Sequence, residues 1–80
     1  MKYIKNPVIV DAVQWVGNNR NEIEDFAGEY CDFVNNSFLF VFSPEGTLRA
    51  SEGDYVIKNS NGGFYICKPD VFKLNYKQLN

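Results

Sequence analysis

The chain has 80 residues, enough for one small domain with a thin stability margin. Its net charge is −2 and its 8 basic residues are scattered, which argues against a protein that tracks the backbone of DNA or RNA. Aromatic residues make up 16%, more than so small a core requires, so some rings are expected at the surface, in an oligomer contact or a ligand site.

Residues 1–6 read as a short polar lead, and Pro7 suits the first residue of an edge strand. Val8 to Val16 is the first strand, with Val8, Val10, Ala12 and Gln14 on one side and Ile9, Asp11, Val13 and Trp15 on the other. It is expected to be central at its start and to open toward solvent or a pocket at its end. Gly17-Asn-Asn19 breaks it. Arg20 to Ala27 is a short helix: Asn19 or Asn21 can cap it, acidic residues favour its first turns, and Ile23, Phe26 and Ala27 form an i, i+3, i+4 stripe. Gly28 can supply the left-handed residue that ends it.

Tyr30 to Val34 is a short apolar segment, and Asn35-Asn36 is a good turn. Ser37 to Phe42 alternates Phe38, Phe40 and Phe42 with Leu39 and Val41. Both faces are apolar, so this strand is expected to be covered on both sides. Ser43-Pro-Glu-Gly46 turns the chain, and Thr47 to Ala50 pairs back. Tyr55-Val-Ile57, the turn formers Asn59 to Gly63, and Phe64 to Cys67 then make a hairpin on which the rest should pack. Lys68-Pro69 stops it. The tail from Pro69 suits either a helical turn or a final edge strand. The whole is an α+β domain: one short helix on a twisted, mostly antiparallel sheet in the order β-α-β-β-β-β, with room to curl into a half barrel.

Chemistry has few supports. There is no histidine to shuttle protons near neutral pH, and no nucleophile, zinc or phosphate-loop motif. The chain is expected not to be an enzyme and to carry no metal or cofactor. Cys31 and Cys67 read as free buried thiols of a reducing cytoplasm rather than a disulfide. The start lacks a signal peptide, and no apolar run is long enough to span a bilayer, so a soluble, intracellular protein without membrane contact is expected. Glu22, Glu24, Asp25 and Glu29 read as a solvated, dipole-matched helix face. Asp54 is expected to accept backbone N–H bonds in its turn, with a ligand role as the alternative. Trp15 fits equally well in the core or stacked on a planar ligand, and Tyr55 and Tyr65 pose the same choice. If Arg49, Lys58 and Lys68 converge, they can hold a phosphate.

Three blocks together resemble a known family. They are V-D-A-V-Q-W ending at Trp15, Arg49-Ala50 followed by EGDYVIK at Glu52 to Lys58, and GGFYICKPDVF at Gly62 to Phe72. They are similar to a family of small phage and prophage proteins named for a PGDYG-type motif, and the resemblance covers nearly the whole chain. Glu52 stands where the motif has Pro, and Val56 departs from its last residue. The resemblance implies phage origin, action in the cytoplasm of an infected bacterium, and no established reaction.

Small phage proteins of this kind resemble counter-defence factors. The expectation is therefore a non-catalytic, oligomeric binder that sequesters a nucleotide-derived immune signal, of the cyclic ADP-ribose or cyclic dinucleotide kind. Trp15, Tyr55 or Tyr65 would stack on the base. Arg49, Lys58 and Lys68 would hold phosphates, and Gln14 and Asp54 would bond base or ribose. So small a domain has no room to enclose a nucleotide, so the site would lie between subunits. The alternative is a protein–protein inhibitor of a host defence enzyme or a minor phage assembly component. It would show an exposed aromatic patch and no convergent cations.

Overall fold

The computed structural model describes residues 2–5, 8–35 and 38–78. In chain order these form β1 (Lys2–Lys5), β2 (Val8–Gln14), α1 (Arg20–Ala27), a 3-10 turn (Gly28–Tyr30), β3 (Cys31–Val34), β4 (Phe38–Ser43), β5 (Gly46–Ala50), β6 (Tyr55–Lys58), β7 (Phe64–Cys67), α2 (Pro69–Asn75) and β8 (Lys77–Gln78). The fold is α+β, as the sequence implies. The strands divide into two antiparallel sheets, β7-β6-β2-β1-β8 and β3-β4-β5, rather than one sheet or a half barrel.

Antiparallel register puts opposed residues on the same face. In the five-stranded sheet Val13 faces Val56 and Val56 faces Ile66, so these share one face; Ala12, Ile57 and Tyr65 share the other. The first face packs with α1 and the inner face of the three-stranded sheet, burying Trp15, Ile23, Leu39, Val41, Val56 and Phe64. The second is covered by α2, whose Phe72 packs with Val10, Ala12 and Ile57. There Tyr76, Phe72 and Tyr55 form a column of parallel rings, with centroids 4.5 Å and 3.8 Å apart, and Tyr3 meets Phe72 edge-on at 4.8 Å.

Helix α1 forms where its stripe predicts, burying Ile23 and Ala27, and Gly28 ends it with φ 57°. The side chain of Asn19 does not cap the helix N–H groups. It donates to Gln14 O (2.8 Å) and Glu22 Oε1 (2.7 Å) and accepts from Val16 N–H (2.9 Å), tying the helix start to the end of β2.

Three expectations are corrected, and one alternative left open is resolved. The polar lead contains β1, which pairs with β2 in register Lys2–Asp11 to Lys5–Val8. The β6–β7 hairpin lies at one side of its sheet, and β2 holds the central place. The tail is a helix and then a two-residue edge strand on β1, so both alternatives occur in succession. Strand β4 is central to its own sheet but covered on one face alone: Leu39 and Val41 are buried, whereas Phe38 and Phe42 are exposed. The expectations at residues 1, 6, 7, 36 and 37 lie outside the described residues.

Candidate functional site

The three motif blocks meet at one place, where the chain crosses between the sheets. The end of β2 and the turn from Ser51 to Asp54 are stitched by backbone bonds. Trp15 N–H donates to Asp54 O (2.8 Å), and Gly53 N–H donates to Trp15 O (2.6 Å). The Gln14 amide adds a bond from Nε2 to Gly53 O (3.0 Å). Inside the turn Asp54 Oδ2 accepts from Ser51 N–H (2.9 Å), as its turn chemistry predicts. Lys68 Nζ reaches the same oxygen from the third block, at 3.2 Å. Gly53 has φ 98°, a conformation open to glycine at little cost, and the Pro69 ring packs beside it. Glu52 lies against Gly17, where a Cβ would run into the carboxylate.

This joint absorbs several residues expected to bind a ligand. Trp15 is 2% exposed and packs on Phe33 at 5.2 Å, so of its two expected settings it takes the core and offers no open ring face. Asp54 is 2% exposed and already bonded on its inward side. Tyr55 stacks on Phe72, and Tyr65 is half-buried on the α2 side of its sheet.

The cations do not converge. Lys58 pairs with Phe64 beside the hairpin turn, and its ammonium sits over the Phe64 ring at 5.9 Å. Lys68 follows Cys67, which pairs with Tyr55 at the opposite end of the hairpin. The two backbones are therefore separated by about 13 Å of extended chain. Arg49 is on the other sheet, its guanidinium over the Phe38 ring at 4.4 Å. The expected phosphate clamp is thus not assembled within one chain.

Shallow cavities among the described residues follow this division. One of ≈ 230 Å³ brings Gln14 and Tyr55 together with Tyr3, Asn19 and Glu22. A second, ≈ 380 Å³, is lined by Arg49, Phe38, Ser51, Glu52, Gly17 and Trp15. Lys58 lines a third of ≈ 360 Å³ with Asp25, Glu29 and Tyr30. The cavities that hold Arg49 and Lys58 also hold carboxylates, which disfavours a phosphate there. Among the described residues, no group of three His, Cys, Asp or Glu side chains is placed to hold a metal. Cys31 and Cys67 form no disulfide, and both are half-buried rather than buried. Burial pushes the Cys31 thiol up, helped by the charges of Glu24 and Asp32 and opposed by Arg20.

The surface least anticipated is the outer face of the three-stranded sheet. The register β3–β4–β5 places Val34 beside Phe38, Asp32 and Arg49 on either side of Phe40, and Thr47 beside Phe42. Phe38 and Phe42 are 39% and 40% exposed, and Val34 is 42% exposed. The sequence signal was present in the two-sided apolar pattern of Phe38 to Phe42; the face that stays open was not. Comparison with protein-family models, curated proteins and solved structures finds no match. Among the described residues no helix is long and apolar enough to cross a membrane.

Proposed function

We propose that this chain is a non-catalytic module that acts by protein–protein contact, as an inhibitor of a host defence enzyme or a minor phage assembly component. Its contacting surface is the outer face carrying Phe38, Phe40 and Phe42. The phage setting rests on the motif blocks. The contact reading rests on one observation: two phenylalanines, 39% and 40% exposed, on a strand whose residues are apolar on both sides. Each residue leaves about 80 Å² uncovered, and covering it contributes up to roughly 2 kcal/mol. An open row of rings flanked by single charges has the make-up of an interface centre, where aromatics and Arg are enriched.

The reading as a sequestering protein for a nucleotide-derived signal stands second. It is favoured by the cavity that joins the Gln14 amide with Tyr55, Asn19 and Glu22, a set suited to a planar polar group. Among the described residues that line this cavity none is a cation, which disfavours a pyrophosphate there.

Site-specific photo-crosslinking tests the first reading. With benzoylphenylalanine in place of Phe40, irradiation in cells should give a discrete protein adduct; in place of Val71 on α2 it should not. Adducts at 71 and none at 40 would move the contact surface away from this sheet.

A further inference from the structure

We propose that a second copy of this chain covers the outer face of β3–β4–β5, in a two-fold sandwich whose axis runs parallel to β4. The inference rests on the reading of that face as a contact surface, and it names the occupant.

The charges on the face are self-complementary in one arrangement. Asp32 on β3 and Arg49 on β5 lie level with Phe40, on opposite sides of it. Both are exposed, and among the described residues neither takes part in an ion pair. A two-fold axis parallel to the strands lays β3 over the partner's β5. Asp32 then faces the partner's Arg49, twice by symmetry, with the phenylalanine rows between the two pairs. An axis at right angles to the strands puts like charge on like charge. The Arg49 guanidinium lies over the Phe38 ring, 4.4 Å from its centroid, so meeting the partner's Asp32 at the level of Phe40 takes a swing of about 7 Å along the strand, within reach of the flexible arginine stem. Aligned sheets packed face to face sit about 10 Å apart, a gap that a long Arg and a short Asp bridge.

The apolar pattern of β4 points the same way. A strand with phenylalanine on one face and Leu39 and Val41 on the other is built for cover on both sides, and its own chain covers only one. The face is small: three strands of about five residues give roughly 14 × 17 Å. That lies below the ordinary size of a stable interface, so the dimer is expected to be weak and to form at high protein concentration.

Sedimentation equilibrium of the full chain at low salt, in a concentration series reaching about 1 mM, tests this. The wild-type chain should reach the dimer mass. Asp32→Arg or Arg49→Asp alone should weaken association by about tenfold or more, because each sets like charges face to face. The double variant Asp32→Arg/Arg49→Asp should recover most of the loss. All these positions are exposed, and an unchanged thermal midpoint checks the fold. A wild-type monomer throughout the series, or reversals that leave association unchanged, would overturn the dimer. So would a double variant no better than the singles. If the dimer fails while position 40 still crosslinks to another protein, the contact reading survives and its occupant is different; if position 40 crosslinks to nothing, both fail.

Discussion

Lys68 Nζ lies 3.2 Å from Asp54 Oδ2, joining a side chain that is 61% exposed to one that is 2% exposed. The two ends of this pair do different work. Asp54 holds the crossing between the sheets by accepting Ser51 N–H, while Lys68 compensates its charge from the solvent side. Asp54→Ala should therefore cost about 1–3 kcal/mol, since it leaves a backbone donor of the turn without its partner. Lys68→Ala should cost about 1 kcal/mol or less, because water screens the exposed ammonium and hydrates the carboxylate in its place. Denaturant unfolding of both variants checks the asymmetry; equal losses would contradict it.

Gln14 and Trp15 are neighbours in the chain and differ in what their removal should do. Gln14→Ala removes one bond, to Gly53 O, and should cost about 1 kcal/mol. Trp15→Ala empties a buried site beside Phe33 and should cost roughly 3–5 kcal/mol, enough to unfold a domain this small. Thermal midpoints of the two variants provide the comparison.

Helix α2 carries its stabilising contacts on one side. Phe72 is 2% exposed, between Tyr55 and Tyr76, and Phe72→Ala should cost about 3–5 kcal/mol. Leu74 is 85% exposed, and Leu74→Ala should stay within about 0.5 kcal/mol of wild type. A large effect at Leu74 would show that the α2 surface is covered in solution.

Alkaline pH should destabilise the protein in a defined direction. Burial raises the Cys31 thiol above its ordinary value of 9.0, with Glu24 and Asp32 adding to it. Burial likewise raises the Tyr3 and Tyr76 phenols above 10.0, with smaller contributions from Tyr55 and Cys67 respectively. These groups are ionised more readily in the unfolded chain. Their contribution to stability is complete below the unfolded values and is lost as pH rises through the folded ones. The midpoint of thermal unfolding should hold steady toward pH 9 and fall above it, and Cys31→Ala should remove the earliest part of that fall. A midpoint rising with pH in this range would contradict the assignment.

What was legible in the sequence was local. The Ile23, Phe26 and Ala27 stripe with Gly28 marks α1, the Asn59 to Gly63 turn marks the hairpin, and Asp54 declares its turn role by residue type. The division into two sheets was not legible, because periodicity gives the faces of a strand but not its neighbours, and the chain changes sheets within the four residues 51–54. Strand β1 carries no sequence signal, because KYIK is too short and too charged to show an apolar pattern. The separation of Lys58 from Lys68, by contrast, was implicit in the hairpin itself. A turn between Lys58 and Phe64 forces residues 58 and 68 to opposite ends. Gln14, Trp15, Asp54 and Lys68 build one joint, and a joint and a ligand site draw on the same amides, rings and charges.

Native mass spectrometry of wild type and Phe40→Ser, at matched high concentration and with or without nucleotide extract from phage-challenged cells, separates protein contact through the outer sheet face from capture of a small molecule. The wild-type protein should associate with protein, its own second copy first, and the Phe40→Ser variant should stay monomeric, with no added small-molecule mass in either. A species that gains a few hundred daltons per site (roughly the mass of a pocket-bound ligand) and is indifferent to Phe40→Ser would contradict it.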